Sequence, residues 1–76
     1  MKHNFEMKNK LYDALKKRYE ATISECEATL EIYFNNPAGI GEHPGILDEM
    51  SILIEKYATA VGNIEILKST FSDYEH

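Results

Sequence analysis

Few residues in this chain combine a reactive type with a useful spacing. Glu42 and His43 are adjacent and follow the glycine pair of Gly39-Ile40-Gly41. A carboxylate beside an imidazole is a minimal acid–base pair, and a glycine segment running into a helix start can offer amides to phosphate. Acid–base catalysis also needs a pocket, a perturbed pKa and a third group that orients the base, and none of these is legible. The glycine segment has no strand before it and no lysine in it, so it is neither a P-loop nor a dinucleotide fingerprint. Helix capping or turn packing is the simpler role for His43. Lys16-Lys17-Arg18 makes a better phosphate contact, with Tyr12 and Tyr19 nearby as stacking surfaces. Three bases on a helix more often form a solvated face. Cys26 sits on an apolar stripe and reads as a buried, inert thiol. A single cysteine cannot form an internal disulfide, and no Cys/His cluster offers a zinc site. These residues give no grounds for expecting catalysis, a metal or a cofactor.

The elements that position these residues are divided by one stretch, Asn35-Asn36-Pro37-Ala38-Gly39-Ile40-Gly41-Glu42-His43-Pro44-Gly45. Pro37 ends any helix that reaches it and pushes Asn36 away from helical angles. Asn35 and Asn36 suit a helix C-terminus. Ile40, between two glycines, is expected to tuck back against the helices. Pro44 fits the first position of a new helix, with Asp48 and Glu49 in or near its first turn. The connection is longer than the roughly 2–8 residues usual between helices. It is either a rigid turn or a recognition loop, because loops on rigid scaffolds often carry function.

Before the break, Tyr12, Leu15, Tyr19, Thr22, Cys26, Thr29 and Tyr33 recur at alternating spacings of 3 and 4. Leu11, Ile23, Leu30 and Phe34 widen that stripe. After it, Ile46, Met50, Leu53, Tyr57, Ala60, Ile64, Leu67, Phe71 and Tyr74 alternate 4 and 3 without a miss. Both patterns are those of a helix buried along one face. A second line, Leu47, Ile54 and Val61, runs one residue further round, and a wider apolar face implies more than one packing partner. Gly62 interrupts good helix formers, either as a tolerated flaw or as a close approach for another helix.

The pattern therefore predicts an all-α, coiled-coil-like antiparallel hairpin in one domain, residues 1–76. The expected elements are a helix over about 7–35, a loop over about 36–44 and a helix over about 45–72. Residues 1–6 are too few and too mixed to assign. Below roughly 70–80 residues a single core supplies little stability. A homo-oligomer, with a dimer completing a four-helix bundle, is the expected remedy. Met50, Leu53, Tyr57, Ile64 and Leu67 are its candidate seam. No apolar run approaches a membrane span, and the first residues lack a signal-peptide core, so a soluble intracellular protein is expected.

The net charge of −5 is unevenly spread. Residues 1–36 are balanced, and residues 37–76 carry the whole excess. In a hairpin, Glu20, Glu25, Glu27, Glu31, Glu42, Asp48, Glu49 and Glu55 gather in the loop half, opposed mainly by Lys56. Such a field repels nucleic acid and attracts basic surfaces or divalent cations. It is equally compatible with a merely solvated end.

The run Ile32-Tyr33-Phe34-Asn35-Asn36-Pro37-Ala38-Gly39-Ile40-Gly41-Glu42-His43-Pro44 resembles the central motif of small helical proteins of large tailed (T4-like and marine) bacteriophages. The Lys-rich start and the helix after the motif are similar too, so the resemblance spans roughly residues 7–71. It implies a phage-encoded protein in the cytoplasm of a bacterial host, and it transfers no activity and no functional residue. Phages use small helical oligomers to bind host proteins or to sequester nucleotide signals. Two readings follow. The first is a non-enzymatic, self-associating hairpin that binds a host or phage protein through an exposed helix face or through the acidic loop end, with Ile40, Glu42, His43, Asp48 and Glu49 as its candidate residues. The alternative is an oligomeric small-ligand binder holding a nucleotide through Lys16, Lys17, Arg18, Tyr12 and Tyr19.

The gathered carboxylates give a first test. Raising ionic strength from 0.01 to 0.1 M shortens the screening length from about 30 to about 10 Å. Monovalent salt should therefore raise the melting temperature modestly, as replacing Glu42 and Glu49 together by glutamine should without salt. Melting curves that respond to neither would show that the acids do not repel one another.

Overall fold

A computed structural model of the chain describes residues 2–36 and 45–75. Helix α1 runs Lys2–Phe34 and helix α2 runs Ile46–Thr70, followed by a short 3-10 turn at Ser72–Tyr74. The described residues contain no strand. The two helices pack antiparallel. Tyr33 meets Glu49 near the connection, Tyr57 meets Glu27 midway, and Lys16 meets Glu75 at the open end. The result is a rod with extents of 58 × 16 × 15 Å.

Helix α1 begins earlier than the pattern predicted, because nothing between Lys2 and Met7 breaks a helix. It ends as expected, with the Asn35 amide donating to the Glu31 carbonyl at 2.9 Å. Pro44, expected at the first helical position, lies outside the described residues, and α2 runs from Ile46 with Gly45 as its N-cap. Gly45 has φ 87°, a left-handed angle that favours glycine, and it supplies the carbonyl to which the Glu49 amide donates at 3.1 Å. Asp48 and Glu49 lie in the first turn of α2 and Lys68 in its last, matching the macrodipole. Helix α1 has no such match at either end. The second helix stops at Thr70 rather than near residue 72. The Ser-Thr-Phe-Ser-Asp run after Lys68 favours local hydrogen bonds over helix, and the chain closes into the 3-10 turn.

The core is one seam between the helices. From α1 it takes Asn9, Tyr12, Cys26 and Leu30, with Lys16, Tyr19, Ile23 and Tyr33 half-buried. From α2 it takes Ile46, Met50, Ala60 and Leu67, with Leu53, Tyr57 and Ile64 half-buried. Two expectations change. The line of Tyr12, Tyr19, Cys26 and Tyr33 is central as predicted, but Leu11, Leu15 and Phe34 are exposed. Lys16, one position round from Leu15, is half-buried instead, while Ile23 and Leu30 lie on the seam as the widened stripe predicted. Of the candidate oligomer seam, Met50 and Leu67 are buried within the hairpin, and Leu53, Tyr57 and Ile64 are half-buried there. The first helix is the nearest partner for the most regular stripe on the second, so it covers that stripe first. Gly62 passes through α2 without a break, and a Cβ there would meet nothing within 4 Å.

Leu30, Ile46 and Met50 form the apolar cluster at the connection end, with Tyr33 and Leu53 packed against it. Leu30→Ala should cost about 2–5 kcal/mol, while Leu47→Ala on the exposed side should stay within about 0.5 kcal/mol. Chemical denaturation of the two variants checks this, and equal losses would mean that the seam is not where the core lies.

Candidate functional site

With one stripe of each helix inside the hairpin, two broad faces remain. The first carries a groove lined by Leu30, Phe34, Ile54 and Tyr57, with Glu27 and Glu31 on its rim. Tyr57 is half-buried in the seam, and its hydroxyl donates to Glu27 Oε2 at 2.8 Å. That bond fixes one acid of the rim. Leu47 stands seven residues before Ile54 and lies on the same line of α2.

The opposite face is longer. Its middle groove is lined by Arg18, Tyr19, Thr22, Ile52, Lys56 and Thr59, among others. Leu15, Ile66 and Phe71 continue it toward the open end. There Leu11, Leu15, Leu67 and Phe71 make an apolar hollow beside Tyr12 and Tyr74. The Lys8 ammonium lies 5.4 Å from the centre of the Tyr74 ring, and Lys16 Nζ bridges to Glu75 Oε2 at 3.1 Å. Together these contacts hold the 3-10 turn against α1.

The three bases proposed for phosphate do not converge. Lys16 is engaged by Glu75, whose hydrogen bond and charge raise the lysine pKa. Lys17 pairs with Asp13 at 2.8 Å one turn earlier, with the same upward effect. Arg18 lines the long face. Consecutive helical positions are about 100° apart, so the three cannot close on one anion. Tyr12 is buried and offers no ring face for stacking, while Tyr19 is half-buried beside Arg18. Of the five residues proposed to bind a protein partner, Ile40, Glu42 and His43 lie outside the described residues. Asp48 and Glu49 are exposed in the first turn of α2. Glu49 Oε2 accepts from the Tyr33 hydroxyl at 3.2 Å. Among the described residues, no group of three or more His, Cys, Asp or Glu side chains is arranged to hold a metal ion, and no helix is long and apolar enough to cross a membrane. Sequence reading overlooked Ile52 and Ile66. They are two heptads apart, a spacing that could have flagged them as a shared face.

Compared with known proteins, the chain matches no family model, no curated protein and no solved structure.

The tyrosine–carboxylate contacts set a pH dependence. The charge of Glu49, then burial and the hydrogen bond, raise the Tyr33 pKa above 10.0. The hydrogen bond to Glu27, then its charge, does the same for Tyr57. Burial, followed by the charge of Glu75, raises Tyr12. Each phenol holds its proton more tightly when folded, so the stabilisation is complete below pH 10.0 and is lost as pH rises through the higher folded values. Melting temperature should fall above pH 10.0, and tyrosinate absorbance should develop at lower pH in denaturant than in buffer. Coincident titrations would remove these contacts from the fold.

Proposed function

We propose that this chain is a non-enzymatic, self-associating helical hairpin that binds another protein, in keeping with a phage accessory protein acting in a bacterial cytoplasm. The observation that carries the partner-binding part is the groove of Leu30, Phe34, Ile54 and Tyr57 rimmed by Glu27 and Glu31. Phe34 is 67% exposed and Leu47, further along, 77%. Large apolar side chains grouped in this way mark interaction sites more often than solvated surface does. A groove between two helices accepts the apolar face of a third, and the acidic rim selects a helix with basic flanks. Glu27 and Glu31 are the acids that line it, while Glu55 lines the opposite groove. Of the two surfaces expected, the acidic loop end and an exposed helix face, the groove favours the helix face.

A model peptide with leucines at helical spacing and lysines between them tests the groove. Titration should give saturable binding to the wild-type chain and at least about tenfold weaker binding to Ile54→Glu, an energy difference of about 1.4 kcal/mol. Glu27→Gln with Glu31→Gln should weaken it less and reduce its salt dependence. Equal binding by wild type and Ile54→Glu, or equal binding of a peptide with glutamates in place of lysines, would reject the groove as the site.

A further inference from the structure

The long face opposite the acidic groove carries a pattern that reads the same from either end. On α1, Leu11, Arg18, Glu25 and Ile32 follow one another at intervals of seven, so they keep one position round a coiled helix. On α2, Ile52, Thr59 and Ile66 do the same. Leu11, Ile32, Ile52 and Ile66 are 59–64% exposed, although each is a large apolar side chain. Reversing the first line places apolar on apolar at its ends and base on acid in its middle. Reversing the second places isoleucine on isoleucine and Thr59 on itself. The two centres of reversal fall close to Thr22 and Thr59, which line one groove and so lie at nearly the same height along the rod.

From this coincidence we infer that a second copy of the chain covers this face head to tail, related by a two-fold axis through the level of Thr22 and Thr59. Leu11 then lies against Ile32 of the other copy, Arg18 against Glu25, and Ile52 against Ile66. Residue i meeting j while j meets i is the signature of an isologous contact. The connections lie at opposite ends of the dimer, so each acidic half rests beside the basic start of the other copy. With both connections at one end, Arg18 would face Ile66 and the acidic halves would lie side by side. The opposite face is less suited to a copy of itself, because the same reversal sets Glu20 against Glu27 and Asp13 against Phe34. The face is part of a rod side with extents of 58 × 16 Å, on the scale of the roughly 800 Å² per partner found in stable interfaces. The dimer is a four-helix bundle that leaves two acidic grooves outward, one per copy.

The inference rests on the self-association proposed above, and its test separates the two. Sedimentation equilibrium of the wild type at micromolar concentration should give twice the chain mass. A monomer across that range overturns self-association itself and the inference with it. Given a dimer, Ile66→Lys should dissociate it and Ile54→Lys, on the acidic-groove face, should not; the reverse outcome overturns the choice of face. Arg18→Glu and Glu25→Arg should each raise the dissociation constant about tenfold, and the double exchange should restore it to near the wild-type value. A double variant no tighter than the singles overturns the head-to-tail arrangement. A further variant guards against loss of folding in the charged ones. Thr59→Cys, conservative and exposed, should give a disulfide-linked dimer on mild oxidation, whereas Glu65→Cys on the same helix should not. Failure of Thr59→Cys to cross-link in a protein that remains dimeric also overturns the axis.

Discussion

Two antiparallel helices can each bury one stripe against the other, and everything else about this molecule follows from how that stripe is used. The seam takes Met50, Ala60 and Leu67 from α2 and Tyr12, Cys26 and Leu30 from α1. Its narrowness is a geometric limit, because a second helix covers only one face of the first. A chain with 43% hydrophobic residues has more apolar surface than that limit accommodates. The remainder stands exposed on two sides, as Leu11, Ile32, Ile52 and Ile66 on one and Phe34, Leu47 and Ile54 on the other.

The seam is also polar at its open end. Asn9 and Tyr12 are buried, and Asn9 Oδ1 and the Tyr12 hydroxyl have no hydrogen-bond partner among the described residues. A buried oxygen without a partner costs about 1–3 kcal/mol. One polar residue in a coiled-coil seam can set register at the expense of stability. Here the register at that end is supported from outside by Lys16 on Glu75 and Lys8 on the Tyr74 ring. At the other end Tyr33 reaches across to Glu49, and midway along the rod Tyr57 reaches to Glu27. Long polar side chains thus flank the seam on both ends and tie the two helices in one alignment.

The two exposed sides differ in charge, and this bears on what each would accept. The Phe34 and Ile54 side is edged by glutamates and is complementary to a basic helix rather than to itself. On the Leu11 and Ile66 side, Arg18 and Glu25 lie between the apolar Leu11 and Ile32 in a self-complementary order. The proposed bundle would use the second side for association and keep the first for a partner. A small domain has little stability of its own, so burying one of its two faces in a copy would also supply what the seam lacks.

The sequence alone determined the number, type and direction of the elements. Alternating spacings of 3 and 4 on both sides of Pro37 leave only two helices, and a connection of this length folds them antiparallel. It also determined the central line of Tyr12, Tyr19, Cys26 and Tyr33. It did not determine which neighbour of that line turns inward, because Leu15 and Lys16, Thr22 and Ile23, or Thr29 and Leu30 satisfy the same period. Packing against α2 took Lys16 rather than Leu15 and buried Leu30 more deeply than Thr29, and it left Leu11, Leu15 and Phe34 at the surface. The same packing set Met50 against α1 and left Tyr57 and Ile64 half-buried. Periodicity reports that a face is buried, and it is blind to which surface buries it. The candidate faces became legible once the nearest partner had taken its stripe, because what remains exposed is a difference between the whole apolar surface and the part the fold consumes.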